Sequence, residues 1–107
     1  ELVLGNHDVG CDIENIKILN IKKIKNITLS HEPIKLTDKN RLNICGHYHP
    51  KLYLKNSRDN LSFRCFAMDL KNNILYLPAF GDLTGGYPCK KLFKKWAIIS
   101  EDEIIEI

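Results

Sequence analysis

The chain has 107 residues, of which 44% are hydrophobic and 27% charged, and its formal net charge is +3. This composition is that of one ordinary folded domain and excludes an intrinsically disordered tract. The longest apolar runs, such as residues 2–4 and 97–99, fall far short of the roughly 20 residues that a bilayer-spanning helix needs. We therefore expect no membrane association and, because no signal peptide is visible, a cytoplasmic location. The modest positive charge permits an anionic partner but is weaker than that of a dedicated nucleic-acid-binding domain.

The beginning of the chain indicates a longer parent protein. The first residue is Glu1 rather than a methionine, and the only methionine is Met68. Residues 2–4 already have the pattern of a buried strand. We therefore expect the chain to be one part of something longer.

Short apolar runs divided by Gly, Pro and Asn predict a strand-rich structure. Two short helices are also predicted, over residues 15–25, where a weak three-to-four spacing of apolar residues occurs, and over residues 90–95. Turn-forming residues at 56–60 and 71–73 predict hairpins. In chain order, the predicted strands are residues 2–5, 27–31, 42–46, 51–55, 61–68, 74–77, 95–100 and 103–107.

The four cysteines are widely spaced and form no Cys-x-x-Cys pair, which argues against a zinc ribbon or a thioredoxin-like motif. Without a secretory signal, reduced thiols are expected. Cys45 and Cys65 lie in apolar runs, and we interpret them as small buried hydrophobic residues rather than as metal ligands or redox groups. The other two are Cys11 and Cys89.

All four histidines of the chain follow strand-like runs: His7, His31, His47 and His49. A single histidine on an apolar face is more often a core residue than a ligand. Four at strand ends favour a metal site, because imidazole is the commonest ligand for transition metals and loops after buried strands can aim several ligands at one point.

The residues around these histidines fit the same chemistry. The spacing of His47 and His49 would place both rings on one side of an extended segment. Gly46 would let the backbone turn sharply beside a metal or phosphate, and Gly5 would do the same before Asn6. Asn6 could offer a carboxamide oxygen to a hard cation.

The acidic and histidine neighbours of these positions have other candidate roles. His7 could donate a proton or hydrogen bond to a phosphoryl group or leaving oxygen. For Asp8 and Glu32, capping a turn or hydrogen-bonding a ligand is favoured over direct metal binding.

Three ordered motifs carry a family resemblance. Gly-Asn-His-Asp at residues 5–8, Ser-His at 30–31 and Gly-His-Tyr-His at 46–49 resemble the third, fourth and fifth motifs of the calcineurin-like metallophosphoesterase superfamily. His-Glu-Pro at 31–33, Gly-His-x-His-Pro at 46–50 and Leu-Pro-Ala-Phe-Gly-x-x-Thr-Gly-Gly at 77–86 are similar to the ligase-associated DNA-damage-response metallophosphoesterases and their archaeal relatives.

The resemblance implies an α/β, strand-rich fold: the C-terminal half of a four-layer αββα sandwich with mixed sheets. Residues 1–107 would be the C-terminal part of a single domain. The N-terminal part, with the family's Asp-x-His and Gly-Asp-x-x-Asp motifs, is absent from these residues. We expect the exposed sheet edge to aggregate or to pair with that missing half.

The resemblance also implies a site for two divalent metal ions, with manganese expected and iron, zinc or nickel as alternatives. Asn6, His31 and His47 would hold one ion, His49 the other, and His7 would contact the phosphoryl group. A hydroxide bridging the ions would attack phosphorus. Because two motifs are missing, we predict that this chain alone binds metal weakly and is not an efficient hydrolase.

A phosphate ester, on DNA or a nucleotide, is the expected substrate, and the resemblance alone points to a DNA-repair ligase or helicase as partner. A basic cluster beside Phe93 and Trp96 could contact a phosphate backbone; a solvated helix face with Trp96 in the core is the favoured alternative. The cluster comprises Lys90, Lys91, Lys94 and Lys95.

Two other functions compete with hydrolysis. One is a non-catalytic scaffold of the same fold that binds a protein partner, although intact motif histidines argue against it. The other is a single-metal histidine module unrelated to phosphoesterases, which leaves Asn6 and the glycines without an explanation.

Overall fold

The computed structural model describes residues 1–5, 10, 17–55, 58, 60–80, 86–88, 95–100 and 103–106. These residues form eleven strands and no helix. In chain order the strands are β1 (Leu2–Val3), β2 (Ile18–Leu19), β3 (Ile21–Ile24), β4 (Ile27–Ser30), β5 (Leu42–Cys45), β6 (Pro50–Lys55), β7 (Asn60–Asp69), β8 (Ile74–Tyr76), β9 (Tyr87–Pro88), β10 (Lys95–Ser100) and β11 (Glu103–Glu106).

The predicted α/β sandwich is wrong, because the described residues form β-strands in mixed sheets. Where a helix was predicted over residues 15–25, residues 18–19 and 21–24 are β2 and β3. β-branched isoleucines favour extended backbone, and β3 closes a two-residue hairpin with β4 in which Lys25 has a φ of 52°. The helix predicted over 90–95 lies outside the described residues except for Lys95, which begins β10. No helix in the described part of the chain is long and apolar enough to cross a membrane.

The larger sheet has three parallel strands at its centre. β4 pairs with β5 and β5 with β8, all in parallel, while β3, β7, β10 and β11 extend the sheet through antiparallel pairs. β6 pairs antiparallel with the first half of β7 and parallel with β9. β1 and β2 form a separate parallel pair.

The core lies on one face of this sheet, and its largest fully buried side chains include Leu52 and Ile74. Cys45 and Cys65 are 1% and 0% exposed, which confirms that they are small buried hydrophobic residues. Cys11 and Cys89 lie outside the described residues. The remaining core residues are Ala67, Tyr76 and Ile98.

The predicted alternation along β7 is confirmed only in part. Cys65 and Ala67 are buried and Phe63 packs against the core, but Leu61 is 48% exposed. The reason is that the first half of β7 extends beyond β8 and β10 and pairs only with β6.

The eight predicted strands are present, most of them one or two residues shorter or longer than expected. The sequence pattern missed β2, β3 and β9. Two of these, β2 and β9, are two-residue strands whose existence depends on a partner from elsewhere in the chain.

Two buried hydroxyls on β4 allow a paired test. Thr28 Oγ1 has no hydrogen-bond partner among the described residues, whereas Ser30 Oγ bonds both Asn43 and Glu32. Because an unsatisfied buried hydroxyl opposes folding, we expect Thr28→Val to raise the free energy of unfolding by about 1 kcal/mol and Ser30→Ala to lower it by about 1–2 kcal/mol. Urea denaturation followed by circular dichroism measures both, and equal destabilisation by the two variants would contradict this interpretation.

Candidate functional site

Three loops meet at one edge of the sheet because β4, β5 and β8 run in parallel. Their registers align Ser30 with Cys45 and Cys45 with Tyr76, so the residues that follow emerge side by side. Backbone bonds continue past the strand ends: Gly46 N–H donates to His31 O at 3.1 Å, and Leu77 N–H donates to Cys45 O at 2.8 Å. This edge is where the sequence predicts the functional residues.

Two of the predicted metal ligands meet at this edge. His31 Nε2 lies 3.2 Å from His47 Nδ1, and the two rings stand nearly perpendicular, at 80°. In the neutral pair one nitrogen donates its hydrogen to the other. With both lone pairs turned to one ion at metal–nitrogen distances of 2.0–2.1 Å, tetrahedral geometry requires nitrogens about 3.3 Å apart.

The observed separation of 3.2 Å is close to this value, and imidazole is a ligand type that suits zinc, copper, iron and nickel. The pair is not a complete ligand set. Among the described residues, no group of three His, Cys, Asp or Glu side chains could hold a metal ion.

The backbone around His47 is turned, not extended. Tyr48 N–H donates to Gly46 O at 2.8 Å, and His47 between them has a φ of 67°, as in the strained, positive-φ form of the γ-turn. His49 has a φ of 52°. The extended backbone expected over His47 and His49 is therefore wrong.

Left-handed backbone occurs at His47 and His49 and not at Gly46, which directly follows β5. Gly46 has an ordinary φ, and a Cβ added there would meet only His31 Nδ1 at 3.9 Å, an ordinary contact. Left-handed non-glycine residues cost about 1–3 kcal/mol each and concentrate at functional sites. Histidine tolerates this region better than most residues.

A buried amide fixes the loop that carries His31. Asn43, at 0% exposure, donates from Nδ2 to Thr28 O at 3.0 Å and to Ser30 Oγ at 2.9 Å. Its Oδ1 accepts the Ile34 N–H at 2.8 Å. These bonds fix the backbone on both sides of His31.

Ser30 extends this network, since its hydroxyl donates to the Glu32 carbonyl at 2.7 Å. Glu32 thus closes the turn through its backbone, while its side chain is exposed. Sequence analysis missed Asn43, although a single amide inside the apolar run at 42–46 was the available signal.

Two tyrosine rings extend from His47 toward the core, and the buried thiol of Cys45 precedes His47 by two residues. The Tyr48 ring lies between those of His47 and Tyr76, with centroid distances of 5.4 Å to each. Burial raises the pKa of Tyr76 to about 12, with additional contributions from Cys45, Asp69 and Tyr48. Burial likewise raises the pKa of the Cys45 thiol to about 12, which leaves it protonated and inert at neutral pH.

An open groove of about 330 Å³ adjoins His31. It is lined by His31 and Glu32 and, among apolar residues, by Leu4, Ile21 and Ile34. The Leu4 N–H donates to Leu19 O at 2.8 Å, so β1 delivers Gly5 beside this groove. Asn6, His7 and Asp8, which follow Gly5, lie outside the described residues.

The last predicted ligand, His49, abuts the end of the 77–86 segment. A Cβ on Gly86 would lie 2.7 Å from His49 O and 2.5 Å from Lys51 Cγ, so a side chain there would displace backbone. Glycine at 86 therefore permits β9 to pair with β6. Of the predicted basic cluster, Lys90, Lys91 and Lys94 lie outside the described residues, and Lys95 is in β10.

Comparisons with known proteins give one informative likeness. No protein-family model and no curated protein matches the chain. The crystal structure of Pseudomonas putida nuclease MPE is similar, with a TM-score of 0.75 and 25% identity over 96% of this chain and 51% of that one. The chain thus has a nuclease-like fold and spans about half the length of that nuclease.

Replacing Asn43 tests whether its hydrogen bonds hold His31 in place. We expect Asn43→Leu to lower the free energy of unfolding by roughly 2–3 kcal/mol, because the Ile34 N–H loses its acceptor. We also expect manganese affinity to fall about 10–100-fold, because His31 is no longer held. Calorimetric titration of the complete protein with manganese measures the second effect.

Ile74→Ala is the matched control for this test. Ile74 pairs with Asn43 in register and is equally buried, so its truncation destabilises the protein by about 2–5 kcal/mol without touching the His31 loop. Equal loss of manganese affinity in both variants would show that Asn43 acts only through stability.

The raised pKa of Tyr76 predicts alkaline sensitivity. In the unfolded chain the phenol ionises near its ordinary value of 10, whereas in the fold it stays neutral to about 12. The unfolded state therefore releases its proton first, so the ionisation of this phenol lowers stability progressively as pH rises from 10 to about 12. We expect Tyr76→Phe to reduce this slope in denaturation measured across the window, while Tyr53→Phe, at an exposed ring, should retain it.

Proposed function

We propose that the protein containing this chain is a metal-dependent phosphoesterase that hydrolyses phosphodiester bonds in nucleic acid. The observation that carries the proposal is the convergence of His31 Nε2 and His47 Nδ1 to 3.2 Å at the edge of the parallel strands. The nuclease-like fold supports the substrate class. We further propose that the chain belongs with the calcineurin-like metallophosphoesterases, near the ligase-associated members, on the order of its three motifs.

In this proposal the histidine pair holds one divalent ion together with Asn6, and His49 contributes to a second. When bound, such ions stabilise charge on the phosphoryl group and provide hydroxide near neutral pH. His7 hydrogen-bonds the phosphoryl group or protonates the leaving oxygen. Neither Asp-x-His nor Gly-Asp-x-x-Asp occurs in residues 1–107, so the remaining ligands come from outside them.

The positioning residues of the site have distinct tasks in this scheme. Asn43 and Ser30 fix the backbone on both sides of His31, so that its ring faces His47 before a metal arrives. The turn at His47 holds the second ring in a conformation that few residues tolerate. Such preorganisation reduces the cost of ordering ligands when the ion binds.

The first test measures manganese-dependent hydrolysis of bis(p-nitrophenyl) phosphate by the complete protein. We expect chelation with EDTA to abolish turnover, and His31→Ala and His47→Ala each to lower kcat/KM by roughly 100-fold or more, since even residues behind metal ligands cost 10–100-fold. Manganese binding, measured by calorimetry on the same variants, should weaken in parallel.

Lys71→Ala is the control, because this exposed residue lies in the turn before β8, at the opposite edge of the sheet from His31. It should leave turnover and metal binding unchanged. Retained turnover in both histidine variants would refute the proposed site, and a wild-type protein that binds manganese but hydrolyses no phosphodiester would favour the scaffold function.

A further inference from the structure

Phe80 is an aromatic side chain in full solvent contact close to the candidate site. It lies in the loop after β8, which leaves the sheet at the same edge as His31 and His47. Its exposure is 103%, whereas the preceding Ala79 is 5% exposed and anchors the loop to the protein. A phenylalanine this exposed gains nothing from the folded core, so its apolar face is available to a ligand.

Arg64 holds the backbone of this loop in place. From β7, its Nη1 donates to Ala79 O at 3.2 Å and to Phe80 O at 2.9 Å. The charge-assisted bonds to successive carbonyls fix the backbone beneath the ring. A ring on a fixed backbone loses little conformational entropy when a flat partner stacks on it.

Two positively charged residues lie on the strands next to this loop and to His49. Lys51, two residues after His49, pairs in register with Arg64 on the neighbouring strand. Like charges directly opposite one another are unfavourable, and a phosphate bound beside them would reduce that repulsion. An aromatic face beside cations is the arrangement that binds single-stranded nucleic acid, in which phosphates meet the cations and bases meet the ring.

We propose that Phe80 is a stacking platform for a nucleobase of a polynucleotide strand whose phosphate occupies the histidine site. Arg64 is its positioning residue, and Lys51 contacts the phosphate backbone. This inference rests on the proposed function and deepens it, since it makes a polynucleotide, rather than a small phosphodiester, the substrate that the site selects.

The test compares Phe80→Ala on two substrates in the complete protein. With a single-stranded oligodeoxynucleotide, loss of one stacked base should raise KM by roughly 10-fold, within the range measured for such contacts. With a stable abasic (tetrahydrofuran) oligodeoxynucleotide of the same length, which has the same phosphates but no base to stack, kcat and KM should not change. Oligonucleotide affinity measured by fluorescence anisotropy in EDTA should fall by the same factor.

Two further variants separate stacking from other roles of the ring. Phe80→Trp keeps an aromatic face and should restore wild-type oligonucleotide affinity, whereas Phe80→Leu keeps an apolar side chain of similar size and should behave like Phe80→Ala. Leu70→Ala, which removes another exposed apolar side chain at the opposite edge, is the control and should resemble the wild type.

Several outcomes would overturn the proposal. Unchanged oligonucleotide affinity in Phe80→Ala would do so directly, and wild-type affinity in Phe80→Leu would mean that the ring covers a protein surface instead of a base. Equal losses on both substrates would assign Phe80 a structural role. Failure of the wild type to hydrolyse either substrate would contradict the proposed function, while the EDTA binding data would still decide the stacking.

Discussion

The parallel pairing of β4, β5 and β8 is the constraint on which the candidate site depends. Parallel neighbours end at the same edge, and their register places His31, Gly46 and Leu77 in successive positions along that edge. The three loops derive from segments that are up to 46 residues apart, as counted from His31 to Leu77. An antiparallel arrangement of the same strands would separate the histidines by the length of a strand.

Two of the three buried polar side chains under this edge, those of Asn43 and Ser30, fix the loop that carries His31. Thr28 and Asn43 lie side by side in one row of the sheet, and Ser30 and Cys45 in another. A core built for stability alone would place apolar residues there, since burying an amide is unfavourable without partners. Asn43 has three, and two of them are in the segment around His31. These hydrogen bonds offset the cost of burying the amide. They also fix the loop that carries His31, and a preorganised ligand requires such a fixed loop.

The segment after β5 also carries backbone strain. Among the described non-glycine residues, four have positive φ, and two of these are His47 and His49; the others are Lys25 and Asn73, both in turns between strands. Strain in a hairpin turn is common, whereas strain on two histidines within three residues of each other is a reason to assign them a task. Close packing of Gly86 against His49 O supports this segment from the other side.

The sequence by itself determined most strands, the buried thiols of Cys45 and Cys65, and the histidines as the residues of interest. Each of these follows from local chemistry: alternation, apolar neighbours, and ligand-type side chains after apolar runs. It did not determine β2, β3 and β9, the absence of helix over residues 17–24, or the turned backbone at His47, because these depend on pairing with distant segments. Only the tertiary structure decided that His31 meets His47, that Asn43 fixes the first, and that Phe80 shares their edge, since sheet register alone sets those distances.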